Sequence, residues 1–244
     1  MGVGGAGFNG PLSFSTARIW LSPTSGIFKD LGVTPAGIGD AVQQWNDAIA
    51  GNNFTQGTLG NRPTYQGATS GNQFAGASHQ RVISASNNFP AQDNVAFSGA
   101  FQVNTSTGGQ MGVATSWDVT NSPGWEFGFN AGKLELILSN ASGTSIRQVQ
   151  STSTYNDGTL RTVGFTYDGS GSTAGMLFYV NGVSVALSSI SNNAPGGLAN
   201  PTMYCGGRQT SDVAYTGFIR NYSLYLSQLT ATDMLNLHNY FTSH

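Results

Sequence analysis

Two short runs, WEFGF and LELIL, carry an apolar residue at every second position: Trp125, Phe127 and Phe129 in the first, Leu134, Leu136 and Leu138 in the second. A period of two puts those residues on one face of a strand, and no helix can do so. Asn130-Ala131-Gly132 between them reads as the turn. The stretch from Thr166 to Ala186, TYDGSGSTAGMLFYVNGVSVA, repeats the pattern around Asn181-Gly182, the dipeptide suited to the two positive φ values of a type I′ turn. A two-residue turn fixes the register, so Val180 should face Val183, Phe178 face Val185 and Met176 face Leu187, an apolar face for a core. Leu177 and Tyr179 on the other side, with Ser184 and Ala186, can meet solvent, a second layer or a ligand. Turn geometry accounts for Asn181 without a ligand. Asp168-Gly169-Ser170-Gly171 closes the preceding strand, Val163 to Tyr167, in the same way.

From Phe97 onward such segments follow one another, separated by Gly, Asn, Asp and Pro clusters, which predicts an antiparallel sandwich or barrel. No composition break between residues 97 and 226 marks a linker, and no repeat of propeller or solenoid length is present. A chain of 244 residues is ordinary for a single all-β domain. We therefore expect one domain over residues 17–244, preceded by a Gly-rich arm over residues 1–16. Near the end, Thr230 as N-cap, Asp233 at the third helical position and the flanking Leu229 and Met234 predict a short helix, with Met234, Leu237 and Phe241 as its apolar stripe. Val42, Trp45 and Ile49 have a similar spacing, so Gly39 to Ala48 reads either as a second short helix or as strand and turn.

Charge narrows the function classes. Only 8% of residues are charged, with Lys+Arg 9 against Asp+Glu 11, so there is no basic surface for nucleic acid or anionic membrane. The surface is instead a neutral coat of Ser, Thr, Asn, Gln and Gly. The start MGVGGAGFNG has neither the basic start nor the apolar run of a signal peptide or membrane anchor, and Ala6 stands where myristoylation wants Ser or Thr. Cys205 is alone, which excludes an internal disulfide. The sequons at Asn53, Asn104, Asn140 and Asn221 read as chance matches in an Asn/Ser/Thr-rich chain.

Several segments together resemble the laminin-G-like, concanavalin A-type jelly roll in the divergent form of phage and environmental bacterial proteins. ARIWLSPTSGIF with VQQWNDAIAGNNFTQGTLGNRPTY is similar to its opening. DGTLRTVGFTYDGSGSTAGMLFYVNGV is similar to its central strands and hairpin, and YTGFIRNYSLYLSQLTATDMLNL to its closing strand and helix. The resemblance covers about residues 17 to 241 and implies an all-β, concanavalin A-like antiparallel β-sandwich jelly roll with a short C-terminal helix. It does not fix a function, because the fold carries lectins, glycanases, adhesion modules and inert scaffolds alike. The alternating acidic strand of the family's glucanases has no counterpart here. The acidic clusters of its calcium-binding lectins are also missing, so no metal and no cofactor is expected.

Three constellations remain. Glu126 and Glu135, the only glutamates, fall on consecutive strands opposite the apolar faces; they are either a carboxylate pair for glycoside hydrolysis or solvated strand residues paired with Lys133 or an Arg. His79, His238 and His244 offer no Ser-His-Asp arrangement, and no nucleophile elbow or P-loop is present. Sugar binding needs only an aromatic platform with amide or carboxylate groups beside it. Trp117, Asp118 and Asn121 supply both in one loop, and Tyr155 and Asn156 in a second; the same residues could equally close a core and shape turns.

The leading expectation is a non-catalytic bacteriophage virion surface protein made in the host cytoplasm, a capsid decoration protein docked through the arm residues Phe8, Asn9 and Pro11. Its partner would be the major capsid protein or another virion protein, with homo-oligomers open. The alternative is a carbohydrate-binding adhesion module, tail-associated or free, that recognises host surface glycan. A glycan-active enzyme is the third reading.

Overall fold

The computed structural model describes residues 8–76, 80–84, 89, 93–117, 124–140, 144–196, 198, 202–208 and 213–244. Among them, two antiparallel sheets pack face to face. The first has eight strands: β15 (Val183–Val185), β14 (Met176–Val180), β13 (Arg161–Tyr167), β8 (Phe97–Asn104), β18 (Thr216–Tyr225), β6 (Asn72–Ala75) and β5 (Thr64–Tyr65) in that order, with β1 (Ala17–Leu21) also paired to β18. The second has ten: β16 (Leu187–Asn192), β12 (Ile146–Thr154), β11 (Lys133–Ser139), β10 (Gly124–Asn130), β9 (Met111–Thr115), β17 (Met203–Cys205), β7 (Val82–Ser84), β4 (Phe54–Thr55), β3 (Gln44–Trp45) and β2 (Ile27–Phe28). The core between them is aromatic. Phe101 stacks on Phe127 at 5.5 Å, and Phe165 lies 5.0 Å from Phe127 and 5.7 Å from Trp125.

The strand periodicity is realised as expected. Trp125, Phe127, Phe129, Leu134, Leu136 and Leu138 are all buried in that core. Ala131 and Gly132, with φ of 51° and 79°, make the turn between β10 and β11. In the second hairpin Asn181 and Gly182 take φ of 52° and 78°, and the pairs Val180 with Val183 and Phe178 with Val185 form. Met176 and Leu187 do not pair. β15 stops at Val185, and after Ala186 the chain crosses to the ten-stranded sheet, where Leu187 faces Ser151. The crossing lets Leu187 pack half-buried against the core instead of extending an exposed hairpin.

Residues 39–48 form no helix. Trp45 is fully buried in β3, between Ile27 and Phe54 in the ladder, and its indole N–H donates to Ser22 O at 2.8 Å. These partners are distant in sequence, so non-local pairing overrides the helical spacing. The C-terminal helix, α1 (Ala231–Ser243), has the expected reciprocal cap: Thr230 Oγ1 accepts from Asp233 N, and Asp233 Oδ2 accepts from Thr230 N. Its buried stripe is Met234, Leu237 and Phe241. It lies on the outer face of the eight-stranded sheet, where Tyr179 and Tyr225 join its cluster, so the far side of the hairpin meets a second layer at Tyr179 while Leu177 stays exposed.

The described part of the N-terminal arm packs on this layer. Gly10–Ser13 form a 3-10 turn, and the Phe8 ring lies 5.6 Å from Phe14 and 6.2 Å from Tyr240. Pro11 is buried and Asn9 exposed. Gly10 has φ of 70°, and a Cβ there would sit 2.5 Å from the Tyr240 ring, so the close approach of arm and helix requires glycine. Phe8 and Pro11 are thus engaged within the chain. Among the described residues no helix is long and apolar enough to cross a membrane.

Candidate functional site

Alternation in β10 and β11 sends Phe127 and Leu136 inward and leaves Glu126, Gly128, Glu135 and Ile137 on the outer face of the ten-stranded sheet. The ladder places Glu126 beside Thr115 and Ile137, and Gly128 beside Gly112 and Glu135. Two glycines side by side leave a floor without side chains between the two carboxylates. Gly128 has no choice, since a Cβ there would lie 1.9 Å from Met111 O.

Both glutamates are held. They share one outer face, as their register predicts, but they are not solvated: each is only 2% exposed. Glu126 is clasped by Arg208, whose Nε donates to Oε2 at 2.7 Å and whose Nη2 donates to Oε1 at 3.1 Å. Gln110 adds a long contact to Oε1 at 3.4 Å. Burial pushes the Glu126 carboxyl up from its ordinary value, with the Arg208 pair opposing that rise and the nearby Glu135 adding to it. Glu135 Oε2 accepts from three side-chain amides, Asn130 at 3.1 Å, Gln148 at 2.7 Å and Gln150 at 2.5 Å. Among the described residues nothing donates to its Oε1.

Arg208 also lies over the ring of Trp117, 4.3 Å from its centroid, a cation–π contact that ties the aromatic residue to the carboxylate face. Trp117 is half-buried where the chain leaves β9, its N–H donating to Thr115 Oγ1 at 3.0 Å. Asp118, Asn121 and His79 lie outside the described residues. Tyr155 and Asn156 are elsewhere. Tyr155 N donates to Gly132 O, the Asn156 amide donates to Thr107 O at 3.3 Å, and Arg161 sits 6.0 Å over the Tyr155 ring. That is the turn end of β10, whereas Trp117 lies against Gly124 at its start, so the length of a seven-residue strand, about 20 Å, separates the two candidate pairs.

The face therefore combines one half-buried aromatic side chain, a buried ion pair, a buried carboxylate oxygen that has no donor among the described residues, three side-chain amides and a pair of buried glycines. Arg208 and the two glutamines on β12 escape a reading of the sequence. Arg208 is 82 positions from its partner and carries no local signal; Gln148 and Gln150 are visible only as polar alternates on a strand. Among the described residues no three His, Cys, Asp or Glu side chains converge to hold a metal ion.

Comparison with known proteins extends this picture. Several solved structures share the fold. The binding domain of botulinum neurotoxin serotype G superposes with a TM-score of 0.61 at 14% identity, over 93% of this chain and 51% of that one. Botulinum neurotoxin type C, a toxin that depends on interaction with two ganglioside molecules to get into cells, gives 0.60 at 15% identity, over 93% and 51%. The binding domain of Paraclostridial Mosquitocidal Protein 1 gives 0.57 at 14%, over 93% and 52%. The chain spans about half the length of these structures, and at such identity the likeness is one of fold. No curated protein sequence matches the chain. Residues 75–234, about two thirds of the chain, match the sequence profile of the concanavalin A-like lectin/glucanases superfamily, and the protein belongs to that family.

Proposed function

We propose that this protein is a non-catalytic carbohydrate-binding module whose ligand lies on the outer face of the ten-stranded sheet. The observation that carries the reading is the Trp117–Arg208–Glu126 assembly beside Glu135, whose Oε1 has no donor among the described residues. Sugars are bound by an aromatic surface for their C–H faces and fixed acceptors and donors for their hydroxyls. Here the ion pair and the amides hold those groups in place before a ligand arrives, which lowers the cost of ordering them. The toxin binding domains of the same fold, one of them tied to gangliosides, support a recognition role.

Hydrolysis fits less well. A general acid must release its proton to the leaving oxygen, and the partner carboxylate must face the anomeric carbon. Both oxygens of Glu126 are taken by Arg208, and Glu135 is fixed by three amides. A glycan array read with the wild-type protein, Trp117→Ala and Glu126→Gln tests the proposal. Binding of defined glycans that both variants lose, with no release of reducing ends, is the expected result. Glycan turnover abolished by Glu126→Gln would replace it with the enzymatic reading.

The setting we propose is a bacteriophage virion, with the module displayed as a capsid decoration protein or carried on the tail. The sparse charge of the chain, 8% of residues, supports a surface that meets protein and sugar rather than polyanions. Co-sedimentation with undecorated capsids tests this; a protein that stays in the supernatant while still binding glycan would be a tail-associated or free lectin.

A further inference from the structure

A second concavity lies on the opposite face of the sandwich, where the 22–25 loop after β1 meets the last turn of α1. We propose that it is a separate binding site for a single neutral sugar ring.

Trp20 and Tyr240 form one wall, their rings 6.0 Å apart at 69°. Each is held by its neighbours. Trp20 is more than nine-tenths buried, and its backbone N–H donates to Asp47 Oδ1 at 2.9 Å. Tyr240 is stacked on by His244 at 4.2 Å and braced by Phe8 at 6.2 Å. The other wall is polar, formed by Ser22, Thr24, Ser25 and Asn221 with Pro23 beside them, and the His244 ring that stacks on Tyr240 also lines the space. Asn221 is 3% exposed and spends its amide N–H on Gln102 Oε1 at 3.0 Å, which turns the amide into a fixed group; among the described residues nothing donates to its Oδ1. The Ser22 and Thr24 hydroxyls bond each other at 2.9 Å, and among the described residues the Ser25 hydroxyl has no partner.

The shape and chemistry select the ligand class. The space is about 190 Å³, below the roughly 300 Å³ at which pockets for drug-sized molecules begin, and suited to one six-membered ring. Rigid aromatic rings on one side take the C–H face of such a ring, and hydroxyl and amide groups on the other take its hydroxyls. Among the described residues the lining holds no Lys, Arg, Asp or Glu side chain and His244 as its one imidazole, so little there repays the desolvation of a charged sugar or a phosphate. This site shares no residue with the Glu126 face, and both sheets of the sandwich lie between them. A chain with both would hold glycan on two opposite sides and so bridge two glycan-bearing surfaces; it would gain no avidity on one flat surface, which both sites cannot face at once.

The test is saturation-transfer NMR on the full chain with neutral monosaccharides such as galactose, glucose and N-acetylglucosamine at about 10 mM, since one ring on one shallow site binds at about millimolar affinity. Three variants are compared. Ser25→Phe fills the cleft from its exposed rim without touching the core, Tyr240→Ala removes half the aromatic wall, and Trp117→Ala removes the aromatic group of the other face. At least one neutral sugar is expected to give transfer that Ser25→Phe and Tyr240→Ala each cut at least fivefold and that survives in Trp117→Ala. Transfer that is lost in Trp117→Ala yet unchanged in Ser25→Phe would overturn the second site and leave the first. Transfer lost in none of the three, or absent from the wild type for every sugar, would overturn it as well. Circular dichroism on Ser25→Phe guards the comparison, because that variant keeps the Tyr240 packing on Gly10.

Discussion

Arg208 reaches across 82 positions of sequence to hold both oxygens of Glu126, at 2.7 and 3.1 Å, while its guanidinium lies 4.3 Å over Trp117. The pair is nearly dry: the side chains are 11% and 3% exposed. Removing one partner of such a pair leaves a desolvated charge behind. Arg208→Ala is therefore expected to cost about 3–5 kcal/mol, and the double change Arg208→Met with Glu126→Gln clearly less, because no orphan charge remains. Urea unfolding of the three proteins decides it; equal losses for single and double variants would mean the cost is packing.

The same pair gives a pH signature. With Arg208 gone, the main cause that holds the Glu126 carboxyl down is lost, and burial first and then the nearby Glu135 push it up. A group whose folded pKa exceeds its unfolded value stabilises below the unfolded pKa, and the contribution fades as pH rises through the folded one. Arg208→Ala should therefore gain stability relative to wild type as pH falls from 7 towards 4.5, the direction opposite to ordinary acid weakening. Melting temperatures across that window give the answer.

Two glycines of the floor should separate folding from binding. A Cβ on Gly128 would collide with Met111 O at 1.9 Å, backbone that cannot yield, so Gly128→Ala should fail to fold or lose several kcal/mol. On Gly112 the added carbon would lie 3.1 Å from Glu126 Oε2 and 3.6 Å from Gly207 Cα, a tight but tolerable fit. Gly112→Ala should keep its fold, raise the floor and weaken glycan binding at least tenfold. A folded Gly112→Ala that binds as wild type would place the ligand elsewhere.

How far these features could be read in advance follows from the range of the interactions behind them. The two hairpins and the helix cap are local: Asn181, Gly182, Thr230 and Asp233 each act within four positions, and all stand where their residue types predict. Trp45 sits at helical spacing but is captured by Ile27, 18 positions away, and Phe54, nine away, pairings that the periodicity of residues 39–48 does not reveal. Glu126 and Glu135 were visible as outward-facing, since strand parity fixes that, but their burial was not. It depends on Arg208, Gln148 and Gln150, which topology rather than sequence brings to the face. The candidate residues Trp117 and Tyr155 look equivalent in sequence and sit at opposite ends of β10 for the same reason.

The helix cap should behave as an independent unit. Thr230 Oγ1 satisfies the Asp233 N–H, and the Asp233 carboxylate returns the contact to Thr230 N at 2.9 Å. Thr230→Ala is expected to cost about 1 kcal/mol and to leave the sheets intact. Hydrogen exchange should show faster exchange confined to the first turn of α1; a change spreading into β13 or β8 would show that the helix and the sheet beneath it open together.

Alkaline stability should be set by phenols. Tyr167 is fully buried, and burial first and then the Asp93 carboxylate push its hydroxyl up to about 12. Its O–H donates to Asp93 O at 2.5 Å, and the same oxygen accepts from Gly171 N at 2.9 Å. Unfolded tyrosine ionises near 10. Between those values the unfolded chain releases a proton that the folded chain keeps, so the contribution of this group is complete below pH 10 and is lost as pH rises to about 12. Tyr215, Tyr222 and Tyr225 are raised by burial in the same direction and steepen the loss. Titration of phenolate absorbance alongside unfolding should show these tyrosines ionising only as the fold is lost. Tyr167→Phe should be less stable than wild type at pH 8, through the lost hydrogen bonds, and should show a shallower decline above pH 10. A parallel decline in the two proteins would place the alkaline sensitivity on the other groups that burial raises, Tyr65, Tyr215, Tyr222, Tyr225 and the Cys205 thiol.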